Sequence, residues 1–236
     1  MGQSFFIWKG IDCRAMGIIS DPFPIIRPEE RVEHITIPGR SGDLTSLEGE
    51  NIFNSYIQTG TIKVHSGARV RRIYDWLRGD GFVTFHGEPD RKQSARVIGA
   101  ITLSRHSRNL DWWEGDVQFY CQPLKQLLQE ETVTITSSGS TVRNRGDVRS
   151  RPKFTVTAND TDFTIVTGGV EFTLIGTTSG STYIVDCDAM EVTNGDGTLV
   201  LTVNSLGDFP ELAPGDNTVT GSGWSSIVVD RRERYL

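Results

Sequence analysis

The chain has 236 residues, enough for one large domain or two modest ones with an ample core. Its net charge of −6 argues against nucleic acid as a partner, because non-specific binding there depends on neutralising phosphates. No apolar run approaches the ~20 residues of a membrane helix, and the first residues carry no secretory signal, so we expect neither membrane insertion nor export.

The first half of the chain predicts a β domain. The many Gly, Thr, Ser and Val residues of the whole chain favour short strands and tight turns. Alternating apolar and polar residues mark the strand candidates: Phe5–Trp8, Val32–Ile37, Thr61–Val64, Phe82–Phe85, Ala95–Leu103 and Asp116–Cys121. Residues 43–60 have little pattern and are predicted to form an extended arm or a hairpin outside the core.

An abrupt turn follows the second of these strands. The apolar residues of that strand are expected to share one face: Val32, Ile35 and Ile37. Pro38 ends the strand because it has no N–H, and Gly39 and Gly42 permit backbone angles closed to other residues. Arg40 is therefore predicted to lie on a stiff loop suited to contact with another chain, although an ordinary hairpin explains the same residues.

A single helix is predicted at Gly67–Arg78. Apolar residues recur there at helical spacing: Val70, Ile73, Tyr74 and Leu77. Ser66 is the expected N-cap, and Gly79 stands where a C-cap glycine belongs. The apolar stripe of this helix should lie against a sheet.

A domain boundary is predicted near residues 123–132. Pro123 is expected to end the preceding strand, and Leu124–Glu131 to form a short helical linker. Residues 1–130 carry 16 basic and 16 acidic side chains, whereas residues 131–236 carry 8 basic and 14 acidic ones. The chain therefore predicts an N-terminal domain at residues 1–131 and an acidic C-terminal domain at residues 132–236.

The second half predicts a β-sandwich. Its strand candidates are Thr132–Ile135, Phe154–Val156, Phe163–Val166, Val170–Leu174, Tyr183–Asp186, Leu199–Val203, Thr218–Thr220 and Ile227–Val229. Turn signals separate them at residues 159–160, 168–169, 194–197 and 214–217. Seven or eight short strands with such turns between them are typical of a sandwich.

Patterns for catalysis or metal binding are weak, so we predict no enzyme, no metal and no cofactor. No Gly-x-Ser-x-Gly elbow is present, and three widely spaced cysteines favour a reducing cytoplasm over a disulfide framework or a zinc site. Asp186/Asp188 and Asp111/Glu114 are formal glycosidase pairs, but solvated acids in turns explain them better. Residues 194–197 lack the further ligands of a calcium loop and are predicted to form a type I′ turn.

Several motifs follow one another in a set order: an aromatic strand into Gly10-Ile11-Asp12, then Pro38-Gly39-Arg40-Ser41-Gly42, Tyr120-Cys121-Gln122-Pro123, Asn144-Arg145-Gly146 and finally residues 207–217. The last string is the most specific, because its prolines and glycines force a turn while Phe209 and Leu212 can plug the end of a sandwich. As an ordered set these motifs resemble the distal tail proteins of long bacteriophages with non-contractile tails. Ser41 stands where the family often has an acidic residue.

The resemblance implies a mainly β fold: an N-terminal β domain with one helix and a β-hairpin arm, then a C-terminal galectin-like β-sandwich. It implies a structural virion protein, made in the bacterial host cytoplasm, that forms a ring of six copies at the tail tip. The ring would join the tail tube protein to the tail-tip (tail-associated) protein and, in many phages, carry receptor-binding proteins. The residues then expected at the subunit interface are Pro38, Gly39, Arg40 and Gly42.

Two other functions stay open at this stage. Trp112-Trp113 and Trp224 could stack on sugar rings, which makes a carbohydrate-binding sandwich for host surface glycans the main alternative. A place for Trp113 and Trp224 in a core or a subunit seam is favoured over that role. A cell-wall hydrolase is the third function.

Overall fold

The computed structural model describes residues 4–47, 52–106, 111–198 and 205–236. The chain divides into two compact units, Met1–Leu128 with Leu236 and Gln129–Tyr235. The predicted limit between residues 131 and 132 lies close to this division. Each unit has its own hydrophobic core.

The first unit is a β structure with one α-helix among its described residues. Its elements are β1 (Phe6–Trp8), β2 (Ile11–Asp12), a 3-10 turn (Cys13–Met16), β3 (Ile18–Ser20), β4 (Val32–Thr36), β5 (Asp43–Leu47), β6 (Tyr56–His65), a second 3-10 turn (Gly67–Arg69), α1 (Val70–Trp76), β7 (Asp80–Phe85), β8 (Arg91–Ile98), β9 (Ser104–Arg105) and β10 (Trp112–Leu127). Strands β4 and β5 form a separate two-stranded sheet.

The remaining strands of this unit form one antiparallel sheet in the order β2-β1-β7-β8-β10-β6-β3, with β9 beside β10. Alternate residues of its long strands are fully buried, as in Val117, Phe119 and Cys121 of β10. They pack on one face with the buried Ile73 and Leu77 of the helical segment, which confirms that the apolar stripe lies against a sheet.

The long strand β10 corrects two predictions at the domain boundary. Pro123 does not end the strand, which continues to Leu127. The pairing of β10 with β8 shifts its register between Cys121 and Lys125, and this bulge accommodates Pro123. A residue in a bulge lies outside the ladder of hydrogen bonds, so it needs no N–H. Leu124–Glu131 is accordingly extended and irregular rather than helical.

The predicted N-cap of the helix is also wrong. Ser66 makes no capping hydrogen bond with its side chain and has φ +97°, outside the helical region. Asp111 takes its place from a distant part of the sequence: its Oδ2 accepts from the Gly67 N–H at 2.9 Å, and its Oδ1 accepts from Trp113 Nε1 at 2.8 Å. Gly79 does adopt a left-handed conformation, but it lies two residues beyond Leu77, the residue that caps the helix after Trp76.

The second unit contains ten strands among its described residues. They are β11 (Thr132–Ile135), β12 (Ser140–Asn144), β13 (Lys153–Ala158), β14 (Asp162–Thr167), β15 (Val170–Ile175), β16 (Thr182–Asp186), β17 (Glu191–Asn194), β18 (Ser205–Gly207), β19 (Gly215–Ser222) and β20 (Trp224–Asp230). Strands β12, β17 and β18 were not predicted. The predicted strand Leu199–Val203 lies outside the described residues.

These strands form two five-stranded antiparallel sheets, β11-β20-β13-β16-β17 and β12-β19-β14-β15-β18. Their inward residues make a single core that includes Phe154 and Val229 from one sheet and Phe163 and Phe172 from the other. Leu212 is fully buried in this core, and the Phe209 ring lies 5.1 Å from the Phe172 ring, as expected for residues that plug the sandwich. The predicted mainly β fold, with one helix, a hairpin arm and a β-sandwich, is confirmed.

Candidate functional site: the hairpin arm

The turn between β4 and β5 has the geometry that its sequence demands. The Arg40 N–H donates to the Ile37 carbonyl at 3.2 Å, closing a four-residue turn with Pro38 and Gly39 at its centre. Gly39 has φ +83° and Gly42 has φ +84°, angles that favour glycine. Proline followed by a left-handed glycine is the pattern of a type II turn. The four predicted interface residues therefore lie together at one exposed tip.

The arm, defined here as β4, β5 and residues 37–42 between them, has an apolar face. Ile35 lies directly opposite Leu44 in the register, so their side chains share that face. Ile35 is 42% exposed, Leu44 is 43% exposed and Ile37, next along the alternation, is 39% exposed. Val32 is three positions from Ile35 and lies on the other face, so the prediction that it shares the apolar face is wrong.

Beyond Val32, the opposite face of the arm is polar towards the tip. Thr36 lies opposite Asp43, and its Oγ1 donates to Asp43 Oδ1 at 2.9 Å. His34 and Thr45 are also paired across the strands and are exposed. The outer part of the arm, beyond Val32, is therefore amphipathic, and the described part of the chain covers neither of its faces.

The base of the arm is attached to the first unit by backbone pairing. Arg31 N–H donates to the Ile52 carbonyl at 2.9 Å, and Asn54 N–H donates to the Glu29 carbonyl at 2.8 Å. Between them Glu30 and Phe53 form a β-bridge, and the Phe53 side chain is buried. The arm is thus fixed at its base and exposed beyond it.

Arg40 is the one charged group of the predicted interface set. Its side chain is exposed and makes no ion pair or hydrogen bond with any residue in the described part of the chain. A guanidinium in this state retains all its donors for a carboxylate or carbonyl of another molecule.

A second exposed apolar surface lies on the outer face of the large sheet, and sequence reasoning missed it. Ile57 of β6 is 50% exposed and faces Tyr120 of β10, which is 40% exposed. Phe82 of β7 is 46% exposed, with the Lys92 ammonium 5.4 Å from its ring. These residues alternate with buried ones, so the sequence did contain the strand pattern. Alternation alone does not tell which face of the sheet remains exposed to solvent.

The side chains considered for sugar binding and glycoside hydrolysis have structural roles. Trp224 is buried and its Nε1 donates to the Thr164 carbonyl at 3.2 Å, which removes one of the three aromatic side chains on which sugar binding rested. Arg232 binds Asp186 through two hydrogen bonds of 2.6 and 2.7 Å, and this bonding holds the pKa of that carboxyl below its ordinary value. Glu114 lies 3.9 Å from Lys63 Nζ.

The described residues contain no group of three or more His, Cys, Asp or Glu side chains placed to hold a metal ion. All three cysteines are buried, and burial raises the pKa of the Cys121 and Cys187 thiols to about 12. Within the described residues no helix has both the length and the apolar character to cross a membrane.

Comparison with known proteins gives a match in structure and none in sequence. No protein-family model matches the chain, and no curated protein matches its sequence. Among solved structures, the chain is similar to the SPP1 Dit (gp 19.1) protein, described as a paradigm of hub adsorption apparatus in phages that infect Gram-positive bacteria. The TM-score is 0.82 at 17% identity, with 100% of both chains covered. The chain thus has the fold of the SPP1 Dit protein over its full length, in agreement with the resemblance to the distal tail proteins.

Proposed function

We propose that this chain is a structural hub of a bacteriophage tail tip, and that six copies form a ring through their first units. The observation that carries the proposal is the arm, an amphipathic hairpin whose apolar face the described chain leaves uncovered. The shared fold with a phage hub protein gives the proposal its context. Neither observation requires catalysis, and the role proposed is structural.

The energetics of the arm favour a partner. A two-stranded hairpin alone is at best marginally stable in water, because it buries little apolar surface against the entropy of ordering its backbone. An exposed strand edge also invites pairing with other chains. A neighbouring copy that covers Ile35, Ile37 and Leu44 would supply the missing burial. We therefore assign the arm to the contact between neighbouring subunits.

A ring follows if the contact joins two different surfaces. When the arm of one copy contacts a surface other than the arm of the next, the contact is head-to-tail, and such contacts close into a ring if the rotation allows. The balanced charge of residues 1–130, 16 basic against 16 acidic, avoids repulsion between adjacent copies. Arg40 at the tip is placed to pair with a carboxylate or carbonyl of the neighbour.

In the virion, the proposed ring joins the tail tube protein on one side to the tail-tip protein on the other. The second unit, which contains most of the acidic excess of residues 131–236, 14 acidic against 8 basic side chains, would be available to receptor-binding proteins. The protein would be made in the host cytoplasm and become part of the tail tip. Phage SPP1 Dit is itself described as a hub of the adsorption apparatus, which supports this assignment.

Light scattering of the purified chain tests the assembly. The full chain should have the mass of a hexamer at micromolar concentration, and the double variant Ile35→Ser/Leu44→Ser should shift toward the monomer. The matched control is Ile175→Ser/Leu206→Ser, which removes two apolar side chains of similar exposure, 45% and 55%, from the sandwich. A monomer under all conditions, including with the tail tube protein present, would contradict the proposal. Equal loss of assembly in both variants would contradict the role of the arm.

A further inference from the structure

A strongly basic segment of the first unit takes no part in the contact proposed for the arm. Four arginines, Arg69, Arg71, Arg72 and Arg78, lie within α1 or within two residues of it, and all four are exposed. None of their side chains makes an ion pair or a hydrogen bond with any residue in the described part of the chain. We call these four side chains the arginine set.

The acids around the arginine set do not balance its charge. Asp75 is the only acid among residues 66–79. The acids that adjoin the segment serve other groups, since Asp80 lies 3.4 Å from Arg96 and Asp111 holds the start of the helical segment. Four guanidinium groups against the single carboxylate of Asp75 leave the segment with a surplus of three positive charges.

Most arginines in the rest of the described chain have an acid as ion partner. Examples from both units are Arg91 with Glu88, Arg151 with Glu211 and Arg232 with Asp186. A paired guanidinium spends part of its five N–H donors on its own chain. The side chains of the arginine set retain all of these donors for another molecule.

The positions of these arginines also oppose the stability of the helix. Arg71 and Arg72 lie in the first turn of α1, which contains no acid. The amino end of a helix has a partial positive charge, so cations there destabilise it. Arg69 and Arg72 are three positions apart, where like charges repel each other. A local cost of this kind is expected where side chains serve a function instead of the fold.

The backbone of the first unit makes room for one member of the set. Gly17 has φ +75°, and a β-carbon at this position would lie 1.9 Å from Arg69 Nη1. The guanidinium of Arg69 therefore occupies the space that any other residue at position 17 would fill. Asp12, before the same 3-10 turn, binds Arg14 and not Arg69. Arg69 is thus placed against the backbone without a carboxylate of its own.

We infer that the arginine set binds a carboxylate-rich surface of another protein. A guanidinium matches a carboxylate through parallel N–H donors, and arginine is enriched at protein interfaces. Asp75, between Arg72 and Arg78 in the sequence, favours a protein over nucleic acid. A row of phosphates would be repelled by this carboxylate, whereas a protein surface can place a cation opposite it.

A second copy of this chain fits the arginine set less well than a different protein does. Several acids of the second unit are already bound to arginines of that unit, as Asp186 is to Arg232. Residues 1–130, with 16 basic and 16 acidic side chains, have no acidic excess to offer. The inference does not depend on ring formation, because it rests on side chains within the first unit of one copy.

Fluorescence anisotropy on the full chain tests the site with three labelled probes: an octapeptide of alternating Glu and Ala, the same peptide with Gln in place of Glu, and a short DNA duplex. The Glu peptide should bind at least about tenfold more tightly than the Gln peptide. Its affinity should fall as salt is added, because exposed charges are screened. A duplex that binds more tightly than the Glu peptide, or equal binding of the two peptides, would overturn the inference.

A double substitution locates the binding. Arg71→Gln/Arg72→Gln should weaken the Glu peptide by about tenfold, the effect of losing two exposed ion pairs. The matched control, Arg143→Gln/Arg151→Gln, removes the same charge from exposed arginines of the second unit and should change the affinity by no more than about twofold. Equal loss in both variants would reduce the binding to general attraction. A fall in the mass of the assembly with Arg71→Gln/Arg72→Gln alone would assign the set to a contact between copies instead.

Arg72→Glu separates binding from a role in the fold. Because an acid in the first turn complements the helix dipole, the melting temperature of this variant should equal or exceed that of wild type. Its affinity for the Glu peptide should fall by more than about tenfold, since a cation is replaced by an anion. A lower melting temperature would make Arg72 a brace of the first unit, and unchanged affinity would remove it from the site; either result would overturn the inference.

Discussion

Two hairpins of this chain both have apolar residues in alternation and glycines in the turn, but they lie in opposite environments. The arm pairs β4 with β5 around Gly39 and Gly42, and the sandwich pairs β14 with β15 around Gly168 and Gly169. In the sandwich hairpin the inward residues are Phe163, Ile165, Phe172 and Leu174, all at most 1% exposed. In the arm the apolar pair Ile35 and Leu44 is more than 40% exposed.

The comparison shows what apolar alternation in a strand specifies. It specifies that one face will be covered, but the covering surface can come from the same chain or from another. In the sandwich, the other sheet of the same unit covers the hairpin. In the arm, no described residue of the chain does so. The difference between the two hairpins is therefore a difference in where the partner lies, and it can be measured with matched substitutions.

The largest effect is expected from Leu174→Ala in the sandwich hairpin. Leu174 is 1% exposed, so its truncation removes buried apolar surface and leaves a cavity between the sheets. The free energy of unfolding should fall by about 2–5 kcal/mol in urea titration. A loss below about 1 kcal/mol would show that the sandwich core is not packed as described.

A smaller effect is expected from the half-buried ion pair of the sandwich, Asp186 with Arg232. Asp186→Asn should lower the free energy of unfolding by about 1–3 kcal/mol near pH 6, because Arg232 loses a charged acceptor for two hydrogen bonds. The pKa of Asp186 is lowered in the folded state, so the carboxylate stabilises the fold above its ordinary value of 3.8 and this stabilisation is lost as the pH falls through the folded pKa.

Urea titrations of both proteins between pH 6 and pH 2 measure this dependence. The difference in stability between wild type and Asp186→Asn should be constant well above pH 3.8 and should shrink below it. A difference that stays constant down to the lowest pH, or grows there, would show that Arg232 does not control this carboxyl.

Leu44→Ala is the counterpart of Leu174→Ala in the arm. Leu44 is 43% exposed, so the same truncation should change the free energy of unfolding of a dissociated subunit by no more than about 0.5 kcal/mol. It should instead weaken the association of copies, measured by light scattering over a dilution series. If the subunit itself loses as much stability as it does with Leu174→Ala, the arm is covered by its own chain.

The smallest effect on the subunit is expected from Arg40→Ala. Arg40 makes no ion pair with any described residue, in contrast to the paired Arg232, so subunit stability should remain within about 0.5 kcal/mol of wild type. Association should weaken by roughly tenfold, and Arg40→Lys should restore it only in part, because an ammonium lacks the planar fork. The control is Arg143→Ala, an exposed arginine of the sandwich. Unchanged association in Arg40→Ala would remove this residue from the interface.

Local patterns were sufficient to predict most of the fold. The alternation in residues 154–156 and 163–166 is enough to place β13 and β14, because each apolar side chain there has a core position. The turn at Pro38 and Gly39 could also be predicted, because proline and a left-handed glycine restrict the backbone to few turn conformations. These features depend on neighbours in the sequence.

The errors arise where distant residues act. Pro123 is accommodated by a bulge that depends on the register between β8 and β10, which no local rule supplies. The cap of the helical segment comes from Asp111 rather than from the adjacent Ser66. Strand β12 was missed because its sequence, residues 140–144, has one apolar side chain among polar ones.

The buried polar contacts of the first unit could not be predicted from the sequence for the same reason. Gln93 and Lys125 are buried beside Tyr56 and Glu88, which come from another strand and a turn, and nothing in the local sequence marks Gln93 or Lys125 as buried. The exposure of the arm was equally hidden, because a strand pattern does not report which chain covers it. Both sites required the tertiary structure.

Hydrogen–deuterium exchange in the arm tests the central claim most directly, which is that another copy covers the apolar face. Peptides that span residues 32–36 and 43–47 would be followed at concentrations where the chain is assembled and at dilutions where it is dissociated. The account predicts slow exchange in the assembly and exchange faster by at least about tenfold in the free subunit, because an isolated hairpin opens readily. An assembled ring in which these amides exchange as fast as in the free subunit would contradict it.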